Sequence, residues 1–253
     1  MTPTVLITGA SSGFGLACAR RFAQDGARLI LLARSQDKLE NLASELSAQT
    51  TVHVQVMDMQ DKAAVLSLPD ILPPDFQAID ILINNAGLAL GIQPAQNADL
   101  DDWETMVDTN IKGLMRLTRA ILPGMVARNR GHIINMGSSA ASWPYPGGNA
   151  YGASKAFVQQ FSRNLKADLV GTAIRVSNIE PGMADTNFSK TRFKGDQSAA
   201  DKVYAGTESL TAQDIAEAVH WCTRVPPHVN INNIELMPVC QAWNAWAVAR
   251  EPQ

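Results

Sequence analysis

Thr4-Val5-Leu6-Ile7-Thr8-Gly9-Ala10-Ser11-Ser12-Gly13-Phe14-Gly15-Leu16-Ala17-Cys18-Ala19 reads as a strand, a glycine-rich turn and the opening of a helix. Residues 4–8 are continuously apolar or β-branched, as a strand covered on both faces must be, and residues 16–23 switch to the spacing of an amphipathic helix. A helix that starts directly behind a strand and a glycine turn offers free backbone N–H groups and its dipole to an anion such as a pyrophosphate. In that arrangement Gly9 serves the tight turn, Gly13 the close approach of phosphate and Gly15 the packing of helix on strand, with Ser11, Ser12 and Phe14 between them. A glycine turn without a ligand is the plainer reading of the same residues.

Working outward, short apolar runs recur at 27–33, 52–57, 79–84, 132–136, 173–179 and 229–237, with helix-length segments between most of them. The alternation predicts an α/β fold of the Rossmann type, a doubly wound, seven-stranded parallel sheet with helices on both faces. Residues 35–48 place Leu39, Leu42 and Leu46 on one helical face. Residues 101–126 carry Trp103, Met106, Val107, Ile111, Leu114, Leu117 and Ile121 at helical spacing, which predicts one long helix. Pro69, Pro73 and Pro74 read as loop, as does the turn-rich 144–148. The stretch 183–210 is the least patterned and follows a strand end, so it is expected to be a substrate lid on a single domain spanning 1–253.

Composition excludes several classes of protein. Of 253 residues 46% are hydrophobic and 18% charged, enough for a large core and far from the signature of disorder. A net charge of -3 with no basic cluster argues against nucleic acid as a partner. Apolar runs such as 29–33 fall short of the roughly 18 residues needed to cross a bilayer, and no basic segment precedes a leader-like apolar stretch, so a cytoplasmic enzyme is expected. Cys18, Cys222 and Cys240 show no CxxC spacing and read as reduced thiols. His53, His132, His220 and His228 show no ligand spacing, so no metal is expected.

The end of the second strand reads Leu32-Ala33-Arg34, where an NAD enzyme usually presents a carboxylate to the adenosine ribose. A cation just before a helix opposes the helix dipole, so a planar fork for a 2′-phosphate is the better account of Arg34 and NADP the expected cofactor. Ser11 and Ser12 add hydroxyls to that pocket, although serines are commonplace in turns.

The glycine turn, Asn84-Asn85-Ala86-Gly87, Gly137-Ser138-Ser139, Tyr151-Gly152-Ala153-Ser154-Lys155 and Pro181-Gly182 together resemble the short-chain dehydrogenase/reductase family from Thr4 to about Met237. Each motif is weak alone; five in family order, each at a strand end or helix start, are specific. Tyr151 and Lys155 stand four apart on a helix expected over 151–170, so both rise from one face. Alone, such a pair is more often an ordinary surface pair; here a phenol near pKa 10 needs the neighbouring ammonium and oxidised nicotinamide to approach the working range. The resemblance implies that Tyr151 is the acid–base group, that Lys155 also binds the nicotinamide ribose, and that Ser138 bonds the substrate oxygen, with Ser139 its competitor. It implies that Asn110 holds a water linking Lys155 to solvent; a structural amide is the other reading. By the same resemblance Asn85, Ala86 and Gly87 line the cofactor, Asp58 and Met59 contact adenine, and Pro181 and Met183 abut the nicotinamide.

Within the family, Asp102-Trp103-Glu104-Thr105-Met106, Ser142-Trp143-Pro144-Tyr145-Pro146, Ile179-Glu180-Pro181-Gly182 and Arg192-Phe193-Lys194-Gly195-Asp196 look like the NADP-dependent 3-hydroxy acid dehydrogenases, whose substrates include serine and allo-threonine and which reduce malonic and related semialdehydes. Arg192 and Lys194 are then candidate clamps for a substrate carboxylate, against a reading as solvated lid charges. Reduction of 3-ketoacyl groups or of another small aldehyde or ketone is a rival, and the acidic Asp99, Asp101, Asp102 and Glu104 do not suit docking of an acidic acyl carrier. A non-catalytic NADP sensor would not require serine, tyrosine, lysine and asparagine together. The family is usually tetrameric through two long helices, and the apolar tail 242–248 is expected at a subunit contact or folded back on its own core.

Overall fold

The apolar runs pair as parallel strands because each is covered on both faces, and the helices between them supply that cover. In the computed structural model, which describes residues 2–244 and 247–251, β1 (Thr4–Thr8) leads through α1 (Gly13–Gln24) to β2 (Arg28–Ala33), and α2 (Gln36–Leu46) leads to β3 (Val52–Val56). The chain continues through α3 (Lys62–Ile71) to β4 (Ile81–Asn84), then α4 (Leu100–Val107) and α5 (Leu114–Ala127) to β5 (Gly131–Met136). After α6 (Asn149–Asp168) and β6 (Ile174–Pro181) come α7 (Phe188–Arg192), α8 (Gln197–Tyr204), α9 (Ala212–Arg224) and β7 (Asn233–Leu236). The seven strands are all parallel in the order β3-β2-β1-β4-β5-β6-β7. This is the doubly wound Rossmann-type sheet expected from the sequence.

Alternate residues of each strand feed two cores. Val5, Ile7, Leu29, Leu31, Ile81 and Ile83 pack with Cys18 and Phe22 of α1, Leu39, Leu42 and Leu46 of α2, and Ile215 and Val219 of α9. Leu6, Ile30, Leu32, Leu82 and Ile133 face the other way, onto Val65 of α3, Leu117 and Ile121 of α5 and Leu165 of α6. Burying such side chains contributes about 25 cal/mol per Å² of apolar surface, so both faces of the central strands hold the sheet between its helix layers. The winding reverses between β1 and β4, which opens a crevice at the carboxyl ends of the strands.

Three expectations need correction. The helix read over 101–126 is two helices joined by a π turn, Asp108–Gly113, because the Asn110 side chain is drawn into bonds outside the helix. Pro69 lies inside the last turn of α3 rather than in a loop; that late in a helix, proline forfeits a single backbone bond. Residues 229–232 do not join β7, since the Asn230 side chain bonds both the N–H and the carbonyl of Val176, 2.8 and 2.9 Å, where a strand neighbour would. The described part of the tail turns back on its own chain, with an antiparallel bridge between Gln241 and Val248 and a 2.8 Å bond from Ala242 N–H to the Ala247 carbonyl. Ala245 and Trp246 of that tail lie outside the described residues.

Candidate active site

The crevice floor is assembled from the ends of β1 and β4. Thr8 Oγ1 accepts the N–H groups of Asn85 and Ala86 at 2.9 and 2.8 Å, and Asn85 Nδ2 donates back to the Thr8 carbonyl at 2.8 Å. Gly9 turns the chain with φ +65°, and a Cβ there would meet Asn85 Nδ2 at 2.9 Å and Ala86 Cα at 3.1 Å. A Cβ on Gly15 would come within 2.4 Å of the Gly9 carbonyl oxygen, so helix and turn touch only because that residue has no side chain. Above this floor lies a cavity of about 410 Å³ bordered by Gly9, Ser11, Ser12, Gly13, Phe14, Arg34, Asp58, Met59, Asn85, Ala86, Gly87, Tyr151 and Lys155. Gly15 stands behind the turn and does not border the cavity. Arg34 is joined there by Lys38 of α2, which the sequence reading did not single out. The signal was present: a cation four residues after Arg34 returns to the same side of a helix that begins between them.

The chemical groups hang from β5 and α6. Tyr151 and Lys155 both lie in the first half of α6 and both are buried. Lys155 Nζ donates to the Met136 carbonyl at 2.8 Å and lies 5.8 Å from the centre of the Tyr151 ring. Burial pulls the Lys155 ammonium down to about 8. Burial likewise pushes the Tyr151 phenol up to about 12, with a hydrogen bond from Ser138 acting in the opposite direction. Ammonium and nicotinamide together are expected from the sequence to lower that phenol; the contribution of the protein's own fold is the reverse, because desolvation outweighs the hydrogen bond from Ser138 and the charge of Arg192. Ser138 is buried at the end of β5 and bonds Tyr151, whereas Ser139 opens the following 3-10 turn and borders the same cleft without that contact among the described bonds.

Asn110 is buried, and both ends of its amide are bonded. Oδ1 accepts the Leu88 N–H at 2.9 Å, while Nδ2 donates to the Leu88 carbonyl at 2.8 Å and to Ser154 Oγ at 3.0 Å. The side chain thus clamps the segment after β4 to α6. Gly87 separates it from Lys155: a Cβ there would sit 3.2 Å from Asn110 Oδ1 and 3.5 Å from Lys155 Nζ.

A second cavity, of about 190 Å³, meets the first at Tyr151 and Gly137. It is bordered by the substrate candidates Ser138 and Arg192, by Pro181 and Met183, which do not border the first cavity, and also by Trp143, Tyr145, Phe188, Tyr204 and Gln241. Trp143 and Tyr145 fall in a stretch that carries the family likeness, whereas no local signal marks Phe188, Tyr204 and Gln241, whose role arises from segments that converge only in the fold. The segment 183–210 contributes α7 and α8 as one wall. Gln241 Oε1 accepts the Met183 N–H at 2.7 Å and so holds the turn after β6.

Of the two lid cations, the structure brings one to the site. Arg192 lies over the rings of Tyr151, Tyr145 and Phe188 at 5.1, 5.4 and 5.5 Å, and its Nη2 donates to the Tyr145 hydroxyl. Its Nε is buried without a hydrogen-bond partner among the described residues. Lys194 instead turns outward, with φ +51°, and pairs with Asp102 at 2.9 Å and Asp99 at 3.4 Å. The acidic residues at the start of α4 take it away from the cleft.

A phenol and a hydroxyl beside an anion-binding turn suit proton transfer coupled to hydride transfer at a carbonyl carbon. The sequence matches the short chain dehydrogenase family over residues 3–197. It is 53% identical over 248 residues to the NADP-dependent 3-hydroxy acid dehydrogenase of Escherichia coli strain K12, covering 98% of this chain and 99% of that protein. It is also 53% identical over 252 residues to sulfoacetaldehyde reductase 2 of Chromohalobacter salexigens, covering 99% of this chain and 100% of that one. Among solved structures, the closed form of serine dehydrogenase complexed with NADP+ superposes with a TM-score of 0.93 at 53% identity, covering 98% of this chain and 100% of that chain.

Proposed function

Because this chain belongs to the short chain dehydrogenase family, we propose that it interconverts small 3-hydroxy acids, of the serine, allo-threonine and 3-hydroxypropionate type, with their 3-oxo acids or semialdehydes, using NADP. The observation that carries the choice of substrate is Arg192 Nε, a guanidinium N–H buried beside Tyr151 with no hydrogen-bond partner among the described residues. A buried, unpaired charged donor is costly, and a substrate carboxylate would relieve it with a charge-assisted bond. A cavity of about 190 Å³ suits an acid of a few carbon atoms.

The first cavity fits the dinucleotide. Its glycine turn leaves no room for a side chain at Gly9, and Arg34 with Lys38 gives two cations on the rim where a 2′-phosphate would lie. Asp58 and Met59 would border adenine, Asn85 to Gly87 the ribose side, and Pro181 and Met183 the nicotinamide; the nicotinamide, when bound, accepts or supplies the hydride. In reduction Tyr151 gives its proton to the carbonyl oxygen, and in oxidation it takes the hydroxyl proton. Ser138 hydrogen-bonds the same oxygen and offsets charge that develops on it. Asn110 keeps the Leu88 segment and α6 in register behind them.

An equally close likeness to a sulfoacetaldehyde reductase favours a second reading, in which Arg192 receives a sulfonate. A panel following NADPH absorbance, with 3-hydroxy acids and NADP against malonic semialdehyde, sulfoacetaldehyde and uncharged aldehydes with NADPH, separates the readings. The carboxylates should be preferred, and Arg192→Ala should raise KM for a 3-hydroxy acid at least tenfold. Uncharged substrates turned over as efficiently as acids would sink both readings. We also propose a cytoplasmic homotetramer: reduced Cys18, Cys222 and Cys240 suit that compartment, and exposed Trp221 and Trp243 suit subunit contact. A monomer in sedimentation analysis would overturn the tetramer.

A further inference from the structure

The guanidinium of Arg192 touches more than a substrate would need. It lies 5.1 Å from the ring centre of Tyr151, closer than the 5.8 Å of Lys155 Nζ. Its position is held from three sides: the Arg192 carbonyl accepts the Gly91 N–H at 3.0 Å, Nη2 donates to Tyr145, and Phe188 stacks at 5.5 Å. A cation held against a phenol attracts the phenolate more than the neutral ring, and burial strengthens the effect.

We propose that Arg192 couples the charge of the substrate to the protonation of Tyr151. Unpaired, the guanidinium biases Tyr151 toward the phenolate; an anion docked on it cancels that influence and strengthens the phenol's hold on its proton. An acidic carbonyl substrate therefore meets a proton donor ready for reduction. A neutral substrate leaves the cation's bias in place. The coupling rests on the reading of Arg192 as the anchor of an anionic substrate.

The groups that face Tyr151 are few. Lys155 approaches from α6 itself, Ser138 from the end of β5, Tyr145 from the loop before α6, Arg192 from α7 and Tyr204 from α8. From α4 the approach is apolar, through Met106 and Trp103. Among the described residues the cations are thus Lys155, whose ammonium is engaged with Met136, and Arg192, whose Nε has no hydrogen-bond partner there. Tyr145, Tyr151 and Tyr204 are the only tyrosines of the chain, and all three border the same cavity.

The test compares wild type with Arg192→Gln and with the charge-keeping Arg192→Lys. For oxidation of an uncharged alcohol, 1-propanol, the acid limb of kcat/KM should move up by on the order of one pH unit in Arg192→Gln and back toward wild type in Arg192→Lys. In wild type, the limb of kcat for 3-hydroxypropionate should lie above that for 1-propanol by a similar amount. Tyrosine labelled with 13C at Cζ gives a readout independent of turnover, with three resonances assignable through Tyr145→Phe and Tyr204→Phe. The Tyr151 resonance of the NADP+ complex should titrate at higher pH in Arg192→Gln, and saturating propionate should raise it in wild type. Equal Tyr151 midpoints in wild type and Arg192→Gln overturn the coupling. An unchanged KM for 3-hydroxypropionate in Arg192→Gln overturns the anchor reading instead, and the 1-propanol and NMR comparisons distinguish the two failures.

Discussion

The half of the cleft floored by the glycine turn and the half walled by residues 183–210 are built from different material. The first is largely backbone: strand ends, a turn that excludes Cβ atoms, and the N-terminus of α1, cross-bonded through Thr8 and Asn85. The second is side chains: Trp143, Tyr145, Phe188, Arg192 and Tyr204 reach one cavity from three separate segments. Backbone positions follow from sheet register and tolerate little change in sequence, whereas a wall of side chains can be re-specified one residue at a time. A family can hold its cofactor and vary its substrate on this plan. Tyr151 borders both cavities and belongs to both halves.

The largest effect is expected where the halves meet. Tyr151→Phe should lower kcat by roughly 10² to 10⁴-fold while NADPH titration, followed by nicotinamide fluorescence, stays near wild type. Unimpaired turnover would mean that the phenol is not the proton carrier and that the division into two halves has the wrong seam.

Lys155 carries the next effect, on stability. Its folded-state pKa of about 8 lies below the ordinary 10.5, so the unfolded chain holds the proton more tightly. The penalty is fully present below pH 8 and is relieved as pH rises from 8 to 10.5. Lys155→Met should therefore melt above wild type near pH 7, by up to about 3 kcal/mol, with the difference shrinking toward pH 10. Thermal unfolding of the ligand-free proteins measures it, and a constant difference across that range would contradict the burial argument. The same variant should lose activity, since a group costly to the fold is kept for function.

On the backbone half, side chains matter mainly at the rim. An Ala33→Asp, Arg34→Leu double variant should shift the NADP-over-NAD preference by about 10 to 100-fold, read as the ratio of kcat/KM values. Lys38 is a second cation on that rim, so adding Lys38→Leu should extend the shift. An unchanged ratio would remove Arg34 from the account. The smallest effect belongs to Lys194. Its ion pairs with Asp102 and Asp99 are solvent-exposed on the lysine side, and such pairs contribute little to stability. Lys194→Ala should change KM for a 3-hydroxy acid less than twofold, against at least tenfold for Arg192→Ala.

Much of this was legible along the chain because local rules act locally. Alternating apolar runs located every strand, and strand-turn-helix spacing located the anion site; β1 was read to the residue. Readings failed where a side chain reached across the fold. Asn110 inserted a π turn into an otherwise regular helical pattern by bonding Leu88, and Asn230 cut β7 short by bonding Val176. Nothing in the periodicity of either segment reports a partner 22 or 54 residues away.

By itself the sequence determined the doubly wound sheet, the glycine turn and the pairing of Tyr151 with Lys155, because each depends on spacings within one strand or helix. Only the tertiary structure decided between Arg192 and Lys194. Two cations two residues apart are equivalent on paper, but one is carried under three aromatic rings and the other out to the carboxylates of α4. That choice rests on what α7 and its following turn pack against, a long-range contact that no local pattern encodes.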